Sequence, residues 1–110
     1  MSPVQLRALT ALRRLVEANL AQLADSMGVT VSTTSRLVDR LVSADWVHRG
    51  PSPTNRREIS LSLTESGTRL LRRYDNRRVE LLGECLDRVP LERHEALLGA
   101  LAELAHVAHA

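Results

Sequence analysis

Four hydroxyl side chains stand in a row in the stretch VTVSTTSRLVDRLV, residues 29–42. A helix that begins at Val31 turns Thr34 towards its inner side. The hydroxyl residues left mostly on the outer side are Ser32, Thr33 and Ser35. Short hydroxyl side chains can donate to phosphates or reach base edges without holding the helix away from a partner. The same run also fits ordinary N-terminal capping followed by a solvated surface, so both interpretations stay open for this stretch alone.

Two arginines follow on the outer side of the same helix, Arg36 and Arg40. An Arg one turn beyond the helix tip can make bidentate contacts with guanine or clamp a phosphate. The positive end of the helix dipole and the first backbone N–H groups favour phosphate at the same place. The net charge of +2 is modest, but residues 1–60 contain eight Arg against five acids, whereas residues 61–110 contain seven against eight. The positive excess therefore lies in the first part of the chain.

A second basic cluster, Arg49, Arg56 and Arg57, surrounds the turn-rich stretch 50–55. Arginines on such hairpins commonly enter a narrow minor groove. A basic hairpin tip is by itself more often a solvated turn. A basic helix tip and a basic hairpin in one compact unit are much rarer by chance, and together they favour double-stranded DNA as the partner.

These side chains need a helix-turn-helix to position them. Ser2-Pro3-Val4-Gln5 has the signature of a helix start, and its apolar stripe continues to Val16 in a helix ending at about Ala18. Asn19-Leu20-Ala21-Gln22 repeats the signature and starts a second, short helix. Gly28 ends this helix because glycine readily adopts a positive φ.

The third helix and a β-hairpin complete a predicted winged helix-turn-helix. Thr30 caps a helix that runs to about Ala44. Residues 46–49 and 58–63 are predicted strands around the tip at 50–55, and the second strand alternates polar and apolar residues. The sequence therefore predicts a mainly α fold with a small β-hairpin, in which recognition helix 31–44 stands beside wing 46–63.

The C-terminal part predicts two further helices, over about residues 65–89 and 91–108, with Thr64 as the first cap and Pro90 between them. Their apolar faces consist of Leu70, Leu71, Tyr74, Leu81, Leu82, Cys85 and Leu86 on the first helix, and of Leu97, Leu98, Leu101, Leu104, Ala105 and Val107 on the second. We expect this leucine-rich hairpin to bury its face against a partner. We assign residues 1–63 to a DNA-binding region and residues 64–110 to a dimerisation region of one compact domain.

Other residues offer little chemistry. The single Cys85 lies on an apolar helix face, which predicts a buried structural thiol. His106 and His109 stand three residues apart but without a thiolate or a carboxylate pattern typical of a metal site, and His48 and His94 have no nucleophile–base pattern around them. We therefore expect no enzymatic activity, no cofactor and no metal. One cysteine, and no apolar run near the roughly 18 residues of a membrane span, predict a soluble cytoplasmic protein.

The segment LADSMGVTVSTTSRLVDRLVSADWVHRGPSPTNRREISLSLTESG contains an ordered set of short motifs. These are the LA-x-x-x-G-V turn, the S-T-x-S-R-L-V-D-R-L helix, the W-V-x-R strand and the RREISLSLTESG wing. In this order they resemble the winged-helix core of the MarR-type (multiple antibiotic resistance) transcriptional regulators. The resemblance covers about residues 4–75, and the two C-terminal helices fit the family's dimerisation element.

The resemblance implies a homodimeric repressor or activator. Its recognition helices would enter successive major grooves of a pseudo-palindromic DNA site, and its wings would enter the flanking minor grooves. Ser32, Thr33, Ser35 and Arg36 match positions that contact bases and phosphates in the family, and Arg57 matches the Arg of the wing tip. The resemblance also implies a small-molecule effector bound between the DNA-binding and dimerisation regions.

Two features depart from the family pattern. Asn55 stands where the family usually has an Asp that braces the wing Arg. The chain begins where the family's second helix begins, so either its start is short or dimerisation uses residues 64–108 only. The departures keep a second hypothesis open, a winged-helix module for protein–protein contact without specific DNA binding.

Overall fold

The computed structural model describes residues 1–108 of the chain, and its contacts divide it into two compact units. The first unit, Met1–Tyr74, contains α1 (Pro3–Leu15), β1 (Glu17–Ala18), α2 (Leu20–Met27), α3 (Val31–Ser43), β2 (Val47–Pro51), β3 (Ile59–Leu63) and the first turns of α4 (Glu65–Asp87). The second unit begins at Asp75 and contains the rest of α4, a 3-10 turn (Leu91–Arg93) and α5 (His94–Ala108). The predicted mainly α, winged helix-turn-helix fold is confirmed.

Side-chain caps set the starts of the first three helices, as predicted. Ser2 and Gln5 form a reciprocal capping box with N···O distances of 3.2 and 2.9 Å. Asn19 and Gln22 form the same box at 2.8 and 2.9 Å. The Thr30 hydroxyl accepts from the backbone N–H of the third residue of α3 at 3.2 Å. Each cap satisfies an N–H group that the helix itself cannot pair.

The turn between α2 and α3 is closed by a glycine and an arginine. Gly28 has φ of 69° and ψ of 31°, the left-handed conformation predicted for it. The Arg7 guanidinium donates from Nη2 to the carbonyl of Met27 at 2.9 Å. The last carbonyls of α2 therefore have partners although the helix ends there.

The predicted end of the first helix is wrong. The helix stops at Leu15, and Val16 has φ of 70° with 75% of its surface exposed. The following residues, Glu17–Ala18, form a strand that pairs with Ser62 and Leu61 of β3. Val16 fits the helical period of α1. A longer helix, however, would remove the backbone pairing of the following strand with β3.

The hairpin that forms the wing is confirmed and belongs to a three-stranded antiparallel sheet of order β1-β3-β2. Strand β2 runs from Val47 to Pro51 instead of over the predicted residues 46–49, and Pro51 pairs with Ile59. A proline is tolerated there because β2 is an edge strand with one side unpaired. The third strand and the extra β2 residues depend on pairing across the sheet, which the local sequence does not display.

Helices α1 to α4 share one core in the first unit. Its fully buried leucines are Leu9, Leu12, Leu23, Leu41 and Leu71. They come from all four helices, and Val47 and Leu61 of the sheet pack into the same cluster. This core fixes α3 and the wing on a common scaffold.

The second unit leaves its apolar side chains on the surface, and no residue from 72 to 108 is buried. The prediction of a buried thiol at Cys85 is wrong, because the described chain puts nothing over that face of α4 and the thiol is exposed. On α5, Leu98 is 52% exposed and Leu104 is 65% exposed. The leucine-rich face expected at the C-terminus is therefore uncovered on α5 and at Leu81 and Leu82 of α4, but the prediction is wrong for Leu70 and Leu71, because Leu71 is buried in the core of the first unit and Leu70 packs against it.

The ends of the last two helices differ slightly from the prediction. Helix α4 ends at Asp87, where i→i+3 hydrogen bonds to Cys85 and Leu86 tighten its last turn. Helix α5 begins at His94, whose Nε2 lies 2.8 Å from the carbonyl of Val89. His109, which was considered with His106 as a metal ligand and set aside, lies outside the described residues. Within residues 1–108, no helix is both long enough and apolar enough to cross a membrane.

Candidate nucleic-acid interface

Helix α3 has one buried face and one exposed face, divided as the sequence predicted. The inner face consists of Thr34, Leu37, Val38 and Leu41, all buried. The Thr34 hydroxyl is fully buried and donates to the carbonyl of Thr30 at 2.9 Å. The predicted contact residues on the other face are Ser32, Thr33, Arg36 and Arg40, which are exposed, and Ser35, which is half-buried. We call these five residues the α3 surface.

The outward hydroxyls of the α3 surface retain donors for an external acceptor. Thr33 Oγ1 accepts a hydrogen bond from the Thr30 hydroxyl at 3.0 Å, so its own proton can still be donated outward. Neither Ser32 nor Ser35 makes a side-chain hydrogen bond to any part of the chain that the structure describes. These hydroxyls therefore contribute little to holding the helix and can bind a phosphate or a base edge.

Arg36 and Arg40 supply the positive charge of the α3 surface. Across residues 1–108, neither guanidinium has a hydrogen-bond or ion-pair partner. Both border an open cleft of ≈ 320 Å³ that reaches Ser2 and Gln5 at the start of α1. Two such arginines, beside the backbone N–H groups at the start of a helix, can bind an extended anion such as a nucleic-acid strand.

The tip of the wing is an ordered turn that leaves two arginines outside. Asn55 Oδ1 accepts from the backbone N–H of Arg57 at 3.1 Å, and its carbonyl accepts from the N–H of Glu58 at 3.0 Å. Asn55 thus braces the backbone at Arg57, not the guanidinium. The side chains of Arg56 and Arg57 are exposed and have no ion-pair partner among the described residues.

Arg49 differs from the other predicted contact residues because it already has a partner. Its Nη2 lies 2.6 Å from Oδ1 of Asp39, an acid on the outer side of α3. The same guanidinium borders a cleft of ≈ 220 Å³ between α3 and the wing, which Ser35 also lines. Asp39 was not among the predicted contact residues, although it is the one acid on the basic outer side of this helix in the sequence.

A second contact holds the wing at its other edge. The Nδ2 of Asn19 donates to Oε1 of Glu58 at 2.6 Å, so the residue that caps α2 also reaches the base of the wing tip. Glu58 was predicted as strand, but it stands just before β3 and its carbonyl accepts from Ser52 at 2.9 Å. The wing is therefore connected by side chains to both helices of the helix-turn-helix.

The other candidate chemistries find no cluster to support them. Among residues 1–108, no three His, Cys, Asp or Glu side chains are placed to hold a metal ion. His48 is exposed on β2 and His106 is exposed on α5. The features that stand together are the α3 surface and the wing, and their chemistry is that of anion and base-edge binding.

A helix-turn-helix followed by a wing, with a basic outer face, defines the winged-helix class. The model of the MarR family matches residues 1–59, more than half of the chain, and the chain belongs to this family. This confirms the family expected from the ordered motifs of the sequence.

Individual relatives agree with this assignment. The chain is 32% identical over 72 residues to YfiV of Bacillus subtilis, named an uncharacterized HTH-type transcriptional regulator, covering 66% of this chain and 45% of YfiV. It is 34% identical over 71 residues to the HTH-type transcriptional repressor NicR of Pseudomonas putida, covering 64% of this chain and 45% of NicR. The matched segment thus spans about half the length of these two proteins.

The solved structure of RV1404 from Mycobacterium tuberculosis has a similar fold over nearly the whole chain. The two superpose with a TM-score of 0.91 and 32% identity, covering 99% of this chain and 74% of RV1404. The likeness therefore extends over the described helices beyond the wing, which the family model does not match.

Proposed function

We propose that this chain is a sequence-specific regulator of transcription that binds double-stranded DNA as a homodimer and acts as a repressor. The observation that supports this most directly is the outer face of α3, where hydroxyls with a donor to spare and arginines without a partner in residues 1–108 stand beside a wing with two more such arginines. Membership of the MarR family and the similarity to the repressor NicR support the same proposal. The alternative of a protein-interaction module without DNA binding is not favoured by these matches.

In the proposed complex, α3 enters the major groove and the wing enters the minor groove. Arg36 makes bidentate contacts with a guanine, and Ser32, Thr33 and Ser35 contact base edges and phosphates near the helix tip. Arg40 contacts the backbone, and Arg56 and Arg57 enter the adjacent minor groove, whose negative potential attracts arginine. Arg49 is the remaining predicted contact residue and lies at the base of the wing.

The homodimer is supported by the uncovered leucines of α4 and α5. The exposed apolar side chains of α5 include Leu97, Leu98, Leu101, Leu104 and Val107. Such a face is rarely left in water by a soluble protein. A two-fold dimer would place its recognition helices about 34 Å apart, one turn of B-DNA, and would read a pseudo-palindromic site. A small-molecule effector of phenolic or amphipathic type, detectable as a compound that weakens operator binding, belongs to the same proposal.

The experiment starts from selection of a duplex from a random pool, followed by measurement of Kd for the selected and for a scrambled duplex at several salt concentrations. We expect the selected duplex to bind at least about 10³-fold more tightly, with strong salt dependence. Arg57→Ala should weaken both duplexes, whereas Arg36→Ala should also change which bases are selected. Arg88→Ala is the control for net charge, because Arg88 is an exposed Arg on the loop after α4 with no partner among residues 1–108. Equal affinity for the two duplexes at moderate salt would refute the proposal.

A further inference from the structure

Asp39 occupies an unfavourable place if α3 faces DNA. On a helix, Ser32, Arg36 and Asp39 follow one another at intervals of four and three residues, so they lie on one stripe of the outer face. A carboxylate on this stripe would repel phosphates and would lower the affinity of the α3 surface for DNA. Its side chain is 63% exposed, so the core does not demand it.

The ion pair with Arg49 removes this difficulty. Arg49 stands on β2 opposite Leu61, which is 2% exposed, so the core fixes the backbone beneath Arg49. From there the guanidinium reaches Asp39 with an Nη2–Oδ1 distance of 2.6 Å, a short charge-assisted contact. The pair neutralises the carboxylate and joins the first wing strand to the middle of the recognition helix.

The stability of the fold gives little reason for this pair. The Arg49 side chain is 41% exposed and its partner is more so, and ion pairs of this kind contribute little to folding because water screens them. The hydrogen bond between Asn19 and Glu58 at the opposite edge of the wing has the same character, since both polar groups are accessible. Each of the two contacts joins an exposed point of the wing to one helix of the helix-turn-helix, outside the shared core.

We propose that Arg49 is a positioning residue that acts through Asp39 and does not itself contact DNA. This inference rests on the proposed function and changes the role of one residue within it. The pair presents the α3 surface and the wing arginines in one fixed arrangement, so that both can meet their grooves together. Held at 2.6 Å by Asp39, the Arg49 guanidinium is directed at the recognition helix instead of a phosphate.

The two roles make opposite predictions for Asp39. If Arg49 binds a phosphate directly, removing Asp39 deletes a repulsive charge and releases the guanidinium, so Asp39→Ala should bind DNA as tightly as the wild type or more tightly. If Arg49 positions the wing through Asp39, Asp39→Ala should weaken binding although it makes the protein more positive. Whether Asp39→Ala weakens or strengthens DNA binding therefore distinguishes the two roles.

The test is a double-mutant cycle on the selected duplex, with Kd measured against salt for Asp39→Ala, Arg49→Ala, the double variant and the charge-swapped variant D39R/R49D. We expect each single variant to weaken binding about threefold to fivefold, the range of an exposed ion pair. The double variant should bind the duplex at least as tightly as the single variant of lower affinity, because both changes break the same contact. The charge-swapped variant should return to within about twofold of the wild type, and Arg49→Ala should keep the wild-type salt slope.

Three results would overturn the inference. The first is undiminished binding by Asp39→Ala with a salt slope for Arg49→Ala reduced by about 0.9, the mark of one lost phosphate contact. The second is additivity of the two single changes. The third is equal weakening by Arg78→Ala, which breaks the matched exposed pair of Arg78 with Asp75 on α4 (2.7 Å). Far-UV circular dichroism confirms that each variant is folded.

Failure of the proposed function appears differently, as a wild-type protein that does not prefer the selected duplex. In that case Arg36→Ala has no effect on base preference either. If the wild type and Arg36→Ala behave as proposed but the cycle shows no coupling, the positioning role alone is wrong.

Discussion

Replacing Gly67 by Ala tests the junction at which α4 leaves the wing. Gly67 lies buried in the first turn of α4, and its N–H donates to the Thr64 hydroxyl at 3.0 Å. Thr64 in turn donates from its backbone N–H to the carbonyl of Trp46 at 3.1 Å and from its hydroxyl to the carbonyl of Asp45 at 2.6 Å. These bonds press the start of the helix against the backbone that follows α3.

A Cβ at position 67 would lie 2.2 Å from the carbonyl oxygen of Trp46 and 3.0 Å from its carbonyl carbon. Ordinary contact begins at 3.4 Å, so the two backbones must separate by about 1.2 Å, and neither is the end of a flexible side chain. Overpacking of this kind costs about 1–3 kcal/mol, and a stretched Thr64 bond adds about 1 kcal/mol. Alanine is the better helix former by about 1 kcal/mol, which leaves a net loss of about 2 kcal/mol in the free energy of unfolding.

The assay is urea unfolding followed by circular dichroism at one protein concentration, since self-association would make stability depend on concentration. The matched controls are Gly83→Ala and Gly99→Ala, because a Cβ at either position meets no atom within 4 Å. Both should stabilise the helices by up to about 1 kcal/mol. If Gly67→Ala unfolds at the same urea concentration as the controls, the contact with Trp46 does not limit this position and the reasoning is wrong.

Two further changes test the caps and the uncovered face. Asn19→Ala should lower the free energy of unfolding by about 1–2 kcal/mol, and Ser2→Ala should lower it by about 1 kcal/mol. Both variants lose a capping box, but only Asn19 also forms a hydrogen bond with Glu58. Equal losses for the two variants in urea titrations would contradict this. Leu101→Glu should convert a dimer into a folded monomer in sedimentation experiments, because Leu101 is 47% exposed within one chain and the charge would be buried only between chains; an unchanged sedimentation coefficient, like that of the control Glu103→Gln, would contradict the proposed dimer.

Features set by neighbouring residues were predictable from the sequence. The caps Ser2, Asn19 and Thr30 bond to groups three residues away, so their signal lies within one turn of helix. Gly28 and the inward turn of Thr34 follow from backbone freedom and helical period in the same way. The hairpin of the wing followed from its turn-rich tip at 50–55 and from the alternation of polar and apolar residues in 58–63, and the family motifs agreed with it.

Features set by distant contacts were not predictable. The strand at Glu17–Ala18 forms because the edge of β3 is available for pairing. Val16, although it fits the helical period of α1, therefore lies outside the helix. The exposed thiol of Cys85 depends on what covers α4, which a helical pattern does not specify. The ion pair of Asp39 with Arg49 joins residues ten positions apart and requires the hairpin to fold back on α3.

The hydroxyl run of α3 can now be divided by what each side chain does. Thr34 is buried and bonded to the backbone, and Thr33 accepts from the capping Thr30 and retains one donor. The side chains of Ser32 and Ser35 have no partner among residues 1–108. No hydrogen bond within the described chain therefore compensates for their low helix propensity. A gain outside the folded chain would explain their presence, and DNA at the tip of α3 supplies one. Base preference in the proposed complex should therefore depend on these serines and Arg36, whereas the wing arginines should mainly set affinity.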